Sequence, residues 1–64
     1  MKNRLKEIRW RKGWTEGDLQ RRSGVSRSTI CELENGINQH PSIDVAYKLC
    51  KALNVDVWEI FFDD

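Results

Sequence analysis

Arg27, Ser28, Thr29 and Glu32 fall within one short stretch, and each of these side chains donates or accepts hydrogen bonds. A guanidinium, two hydroxyls and a carboxylate so close together perform recognition: they offer a fixed order of donors and acceptors to a polar edge. Catalysis has little material here. There is no nucleophile–base pair, no carboxylate pair set in a pocket and no Gly-rich phosphate loop, so neither an enzyme nor a cofactor is expected. His40 is the sole histidine, and Cys31 and Cys50 lack both C-x-x-C spacing and histidine partners. Free thiols in a reducing compartment, with no metal centre, are the expectation.

The recognition side chains need a support, and residues 15–36, TEGDLQRRSGVSRSTICELENG, supply one. Thr15 with Asp18 three residues on reads as a capping-box variant opening a helix. Ser23-Gly24 ends it, because glycine takes the positive φ of a helix stop. Val25 turns inward, and Ser26 caps a second helix from Arg27 to about Glu34, closed by Asn35-Gly36. Ile30 and Leu33 lie three apart on its apolar back, opposite Arg27, Ser28, Thr29 and Glu32. A short helix with an apolar back and a hydrogen-bonding front is what reading base edges in a DNA major groove needs. The pattern is a helix-turn-helix.

The remaining chain reads as support. Sixty-four residues make one domain, residues 1–64, near the lower size limit of independent folding. Residues 3–12 are expected to form a first helix with Leu5 and Ile8 inward, stopped at Lys12-Gly13. Trp14 is placed to staple it to the next helix. Trp10 lies off the Leu5–Ile8 stripe, either packed at an edge, the reading favoured, or exposed. Ser42 caps a fourth helix from Ile43 to Leu53 that buries Val45 or Ala46, Leu49 and Leu53, with Cys50 beside them. Asn54 ends it, and Asp56-x-x-Glu59 opens a last short helix from Val57 to about Phe61. The fold class expected is a compact all-α, five-helix domain. No apolar run approaches the ~20 residues that span a bilayer, and Met1 leads directly into a charged helix, so a soluble, cytoplasmic protein with no membrane partner is expected.

The net charge of +1 conceals a division. Residues 1–36 carry nine cations (Lys2, Arg4, Lys6, Arg9, Arg11, Lys12, Arg21, Arg22, Arg27) against Glu7, Glu16, Asp18, Glu32 and Glu34, a net of +4. Residues 37–64 carry Lys48 and Lys51 against Asp44, Asp56, Glu59, Asp63 and Asp64, a net of −3. A basic front and an acidic rear suit a protein that turns one side to phosphate. The tail VWEIFF is more apolar than a small monomer needs. With Ile60 plugging the core, Val57, Trp58, Phe61 and Phe62 divide between core and an exposed patch that is the candidate homodimer interface. A two-fold dimer sets two recognition helices about 34 Å apart, one turn of double-stranded DNA.

RLKEIRWRKGWT, SGVSRSTICELENG and HPSIDVAYKLCKALNVDVWEIF, in that order, closely resemble the Cro/CI-type (Xre-like) helix-turn-helix family of phage and bacterial repressors. The resemblance covers nearly the whole chain and implies a lambda-repressor-like domain binding a palindromic operator as a dimer. It implies base reading by Arg27, Ser28 and Glu32. Arginine suits guanine, while Glu32 either accepts from a cytosine amino group or orients Arg27 or Arg22. Thr29 and Asn35 match phosphate-contacting positions, as does position 16, and Arg9 and Glu34 match a structural ion pair between the first and third helices. Three residues depart from the family pattern. Glu16 replaces the common glutamine and is expected to repel the phosphate there. Gly17 weakens a helix, and Gln20 replaces a small alanine, so it must either extend outward or shift the helix. The loop 37–40 is also poor in cations. These departures predict weaker DNA binding than in typical relatives, and they keep open a protein–protein interaction module, antitoxin-like, that retains only the fold.

Overall fold

Three of the helices begin where a short polar side chain satisfies an orphan N–H group of the first turn. The structure, a computed structural model describing residues 2–62, runs β1 (Lys2–Asn3), α1 (Leu5–Arg11), α2 (Glu16–Ser23), α3 (Arg27–Glu34), α4 (Ile43–Leu53), α5 (Val57–Ile60) and β2 (Phe61–Phe62). Met1, and the acids Asp63 and Asp64 of the acidic half, lie outside the described residues. Thr15 and Asp18 form the reciprocal box at α2: the Asp18 N–H donates to the Thr15 hydroxyl at 3.0 Å and the Thr15 N–H to the Asp18 carboxylate at 2.8 Å. That backbone donor, then the hydroxyl, holds the Asp18 carboxyl below its usual pKa, with Arg21 adding to the effect. Ser26 and Ser42 accept from Thr29 and Val45 N–H to open α3 and α4. Gly24 at φ 78° and Asn54 at φ 57° take the left-handed conformation that ends α2 and α4.

The helices close around Leu5, Ile8, Leu19, Val25, Ile30, Leu33, Leu49, Leu53 and Ile60, with Cys50 at the edge. Val45 and Ala46 are both half-buried against this core, as is Trp14. Burial pushes the Cys50 thiol above its usual pKa, aided by the negative charges of Asp56 and Glu59, which leaves it an inert apolar filler.

The structure departs from the sequence expectation at both ends of the chain. The first helix begins at Leu5, not residue 3, because residues 2 and 3 pair antiparallel with Phe62 and Phe61 as a two-stranded ribbon. Asn3 serves as a clasp: its Oδ1 accepts from the Leu5 N–H at 3.1 Å and its Nδ2 donates to the Leu33 carbonyl at 3.0 Å. The last helix stops at Ile60, and Phe61 continues as strand with its ring in the core, only 4 % exposed. Phe61 is therefore not part of an exposed patch. Trp10 is corrected in the opposite sense: it is 62 % exposed, beneath the Lys6 ammonium at 4.9 Å, because Leu5, Ile8 and Arg9 already fill the inward face of α1.

A side chain at Gly17 has room, since the nearest atoms to a Cβ there are the Thr15 hydroxyl at 3.7 Å and the Arg21 guanidinium at 3.9 Å. Gly17→Ala is expected to raise stability by about 0.5–1 kcal/mol by reducing the backbone freedom of the unfolded chain. Thermal unfolding checks this, and an unchanged or lowered midpoint would count against the open geometry at α2.

Candidate nucleic-acid interface

α2 and α3 are joined by Gly24-Val25-Ser26, and the turn is pinned from both sides. The Ser23 hydroxyl donates to the Leu19 carbonyl at 2.6 Å and accepts from the Val25 N–H at 3.1 Å. This closes α2 and drives Val25 into the core. Ser26 then donates to the Thr29 hydroxyl at 2.8 Å. Ile30 and Leu33 seal the back of α3 against the core. Arg27, Ser28 and Glu32 are left exposed on the front.

The side chains around this front differ in how free they are. Thr29 is half-buried with its hydroxyl engaged by Ser26. Asn35 folds its Nδ2 back onto the Cys31 carbonyl at 2.9 Å and the Cys31 sulfur at 3.2 Å, so a contact from this amide to a phosphate requires the side chain to turn away from Cys31. Glu16 is not a free anion at the start of α2. Its Oε1 lies 3.6 Å from Arg27 Nε, with the glutamate side chain 23 % exposed and the arginine 66 %. Long-range pairing of this kind has no local signature, and the sequence reading placed Glu16 against phosphate instead. Gln20 points outward and is exposed, so α2 and α3 pack without inserting a long polar side chain between them.

Behind the front lies an ion pair that fixes α3 to α1. Arg9 Nε and Nη2 donate to the two carboxylate oxygens of Glu34 at 2.7 and 2.9 Å, and Nη1 donates to the Trp14 carbonyl at 2.8 Å. The side chains are 7 % and 2 % exposed. The Glu34 hydrogen bonds raise the Arg9 pKa further above its usual value, outweighing the opposing effect of burial. Arg22 lies over the Trp14 ring at 4.4 Å and closes this corner from outside. Among the described residues no group of three or more His, Cys, Asp and Glu side chains is placed to hold a metal ion.

A helix-turn-helix family model matches residues 5–57, from the first residue of α1 to the first of α5. The chain belongs to the helix-turn-helix family. Its relatives in this family are transcriptional regulators. An uncharacterized HTH-type transcriptional regulator of Archaeoglobus fulgidus is 39 % identical over 64 residues, covering 100 % of this chain and 89 % of its own. The HTH-type transcriptional regulator YgzD of Bacillus subtilis, also uncharacterized, is 37 % identical over 97 % of this chain and 92 % of its own. The competence pilus inhibition repressor of Acinetobacter baylyi is 44 % identical over 84 % of this chain and 48 % of its own. The matched region contains all of α2 and α3, and no helix among the described residues is long and apolar enough to cross a membrane.

Proposed function

We propose that this chain is a sequence-specific DNA-binding transcriptional regulator, a repressor, that acts as a homodimer on a palindromic operator with α3 in the major groove. The observation that carries the reading is the free front of α3. Arg27, Ser28 and Glu32 stand exposed on a helix whose opposite face is sealed in the core and whose axis is locked to α1 by Arg9 and Glu34. A rigid helix presenting donors and acceptors outward meets the requirement for reading base edges. Arg27 reads guanine, with Ser28 and Glu32 reading further along, and Thr29 and Asn35 hold the phosphate backbone. The repressor role draws support from the similarity to the competence pilus inhibition repressor of Acinetobacter baylyi.

The homodimer rests on apolar surface at α4 and α5. With Phe61 in the core, α4 and α5 expose the apolar side chains of Ile43, Tyr47, Val57 and Trp58. Ile43, Tyr47 and Val57 line a shallow groove of about 540 Å³. An apolar face of this kind on a small domain suits a two-fold partner.

Titration against random-sequence duplex at low and moderate salt, followed by selection of bound sequences, tests the proposal. The expected result is a palindromic consensus with half-sites about one helical turn apart and affinity that falls as salt rises. Arg27→Ala is expected to weaken binding to the selected site by about 1–3 kcal/mol, a five- to 150-fold loss, with helicity unchanged. Binding that survives within about twofold would refute base reading by Arg27. Absence of DNA binding even at low salt would instead favour a protein partner on the exposed Ile43, Tyr47 and Trp58 face.

A further inference from the structure

We propose that the cavity between α1 and α5 is a binding site for a small organic carboxylate, an anion with an apolar body. Arg4, Ile8, Arg11 and Lys12 line one wall, down one side of α1 and its two caps, and Val55 and Glu59 line the other. The volume of about 340 Å³ falls at the lower end of the range for small-molecule sites. No lining residue belongs to α2 or α3, so the site is separate from the proposed DNA front and does not depend on it.

The cations of the basic half of the chain do not serve one surface. Arg9 is buried against Glu34, Arg21 pairs with Asp18, and Arg22 lies over Trp14. Arg4, Arg11 and Lys12 converge instead on this cavity, where Glu59 is the one carboxylate in the lining. Glu59 is already engaged: its Oε2 accepts from the Asp56 N–H at 2.7 Å in the capping box of α5. Arg11 meets Glu7 at 3.2 Å, but the two side chains are 71 % and 55 % exposed, and such a pair opens readily. Arg4 is held in place from two sides. Its guanidinium lies 4.8 Å from the centre of the Phe62 ring, and its N–H donates to the Ile60 carbonyl at 2.8 Å, tying the start of α1 to the end of α5. The dipole of α1 favours Lys12 at the C-cap and disfavours a cation at the N-cap, so helix electrostatics give no reason for Arg4 there.

The floor decides the class of anion. Ile8 belongs to the core and Val55 is half-buried against it. A bare oxyanion would leave this apolar surface wet. A carboxylate on the cations, with hydrocarbon laid over Ile8 and Val55, satisfies both parts of the cavity.

Phenylacetate is the probe, with phenylacetamide as its uncharged counterpart and inorganic sulfate as an anion without an apolar body. Amide NMR of the full chain is expected to show saturable shifts with phenylacetate, confined to the lining residues and their neighbours. The unfolding midpoint should rise with phenylacetate concentration, since the ligand binds only the folded chain. Arg4→Gln and Lys12→Gln are each expected to weaken binding about tenfold, the loss of one hydrogen bond to a charged group. Lys48→Gln removes the same charge from α4, outside the cavity, and should leave affinity within about twofold. Val55→Thr keeps the shape but places a hydroxyl in the floor, and should weaken phenylacetate several-fold. The amide spectrum of each variant away from the cavity reports that it remains folded. Sulfate or phenylacetamide binding as tightly as phenylacetate overturns the class of ligand. Shifts centred on α3, equal losses in Lys48→Gln and Lys12→Gln, or no saturable shift through the millimolar range overturn the site itself.

Discussion

Glu34→Ala is expected to remove about 3–5 kcal/mol of folding stability, the cost of leaving one member of a buried ion pair without its partner. Arg9 would keep its hydrogen bond to the Trp14 carbonyl but lose both bonds to carboxylate, in a site where its side chain is only 7 % exposed. Globular domains hold roughly 0.05–0.15 kcal/mol per residue, so a chain this small has about 3–10 kcal/mol in all. The variant should therefore lose about a third or more of the domain's stability, and all of it if the parent lies at the lower end of that range. Urea unfolding followed by helicity checks this, with the parent slope as the reference for a two-state transition. A loss below about 1 kcal/mol would mean that water screens the pair as it does at a surface. Replacing both residues with apolar ones of similar size, Arg9→Met with Glu34→Leu, is expected to recover most of the loss, because the desolvation cost of the pair disappears with its attraction. That recovery separates a buried charge left alone from simple loss of packing.

The helical framework was legible because its signals are local. Thr15 with Asp18, Ser26 and Ser42 each satisfy backbone donors within three residues, and Gly24 and Asn54 supply the left-handed stops, so the boundaries of α2, α3 and α4 can be read directly from residue type. The inward face of α3 follows from the spacing of Ile30 and Leu33. What could not be read was set by partners far away in the chain. The pairing of β1 with β2 joins the two ends, and strands of two residues carry no alternation to detect. Asn3 did carry a signal, since an asparagine shortly before the first apolar helical residue is a typical cap, but its second bond to the Leu33 carbonyl has no trace in the sequence around it. At the candidate interface the exposure of Arg27, Ser28 and Glu32 followed from helical phase. The hold of Glu16 on Arg27 did not, because it depends on how α2 is set against α3.

Phe61→Ala is expected to cost about 3–5 kcal/mol, the range for deleting a buried aromatic side chain. The ring is 4 % exposed among core residues, while its backbone pairs with Asn3, so the substitution opens a cavity and loosens the ribbon that closes the chain ends. Trp58 is the informative contrast. It is one turn earlier on α5 and 79 % exposed, and Trp58→Ala should change monomer stability by no more than about 0.5 kcal/mol. If the proposed dimer uses this face, Trp58→Ala weakens self-association in sedimentation while helicity and the unfolding midpoint at high dilution stay at the parent values. Phe61→Ala lowers the midpoint at every concentration, because it acts within one protomer. A folded, stable Phe61→Ala that merely fails to associate would reverse the assignment and return Phe61 to the interface. The distinction matters for reading any variant of the VWEIFF tail: a loss of DNA binding at Phe61 reports an unfolded domain, and on the proposed dimer the same loss at Trp58 reports a monomer that engages one half-site.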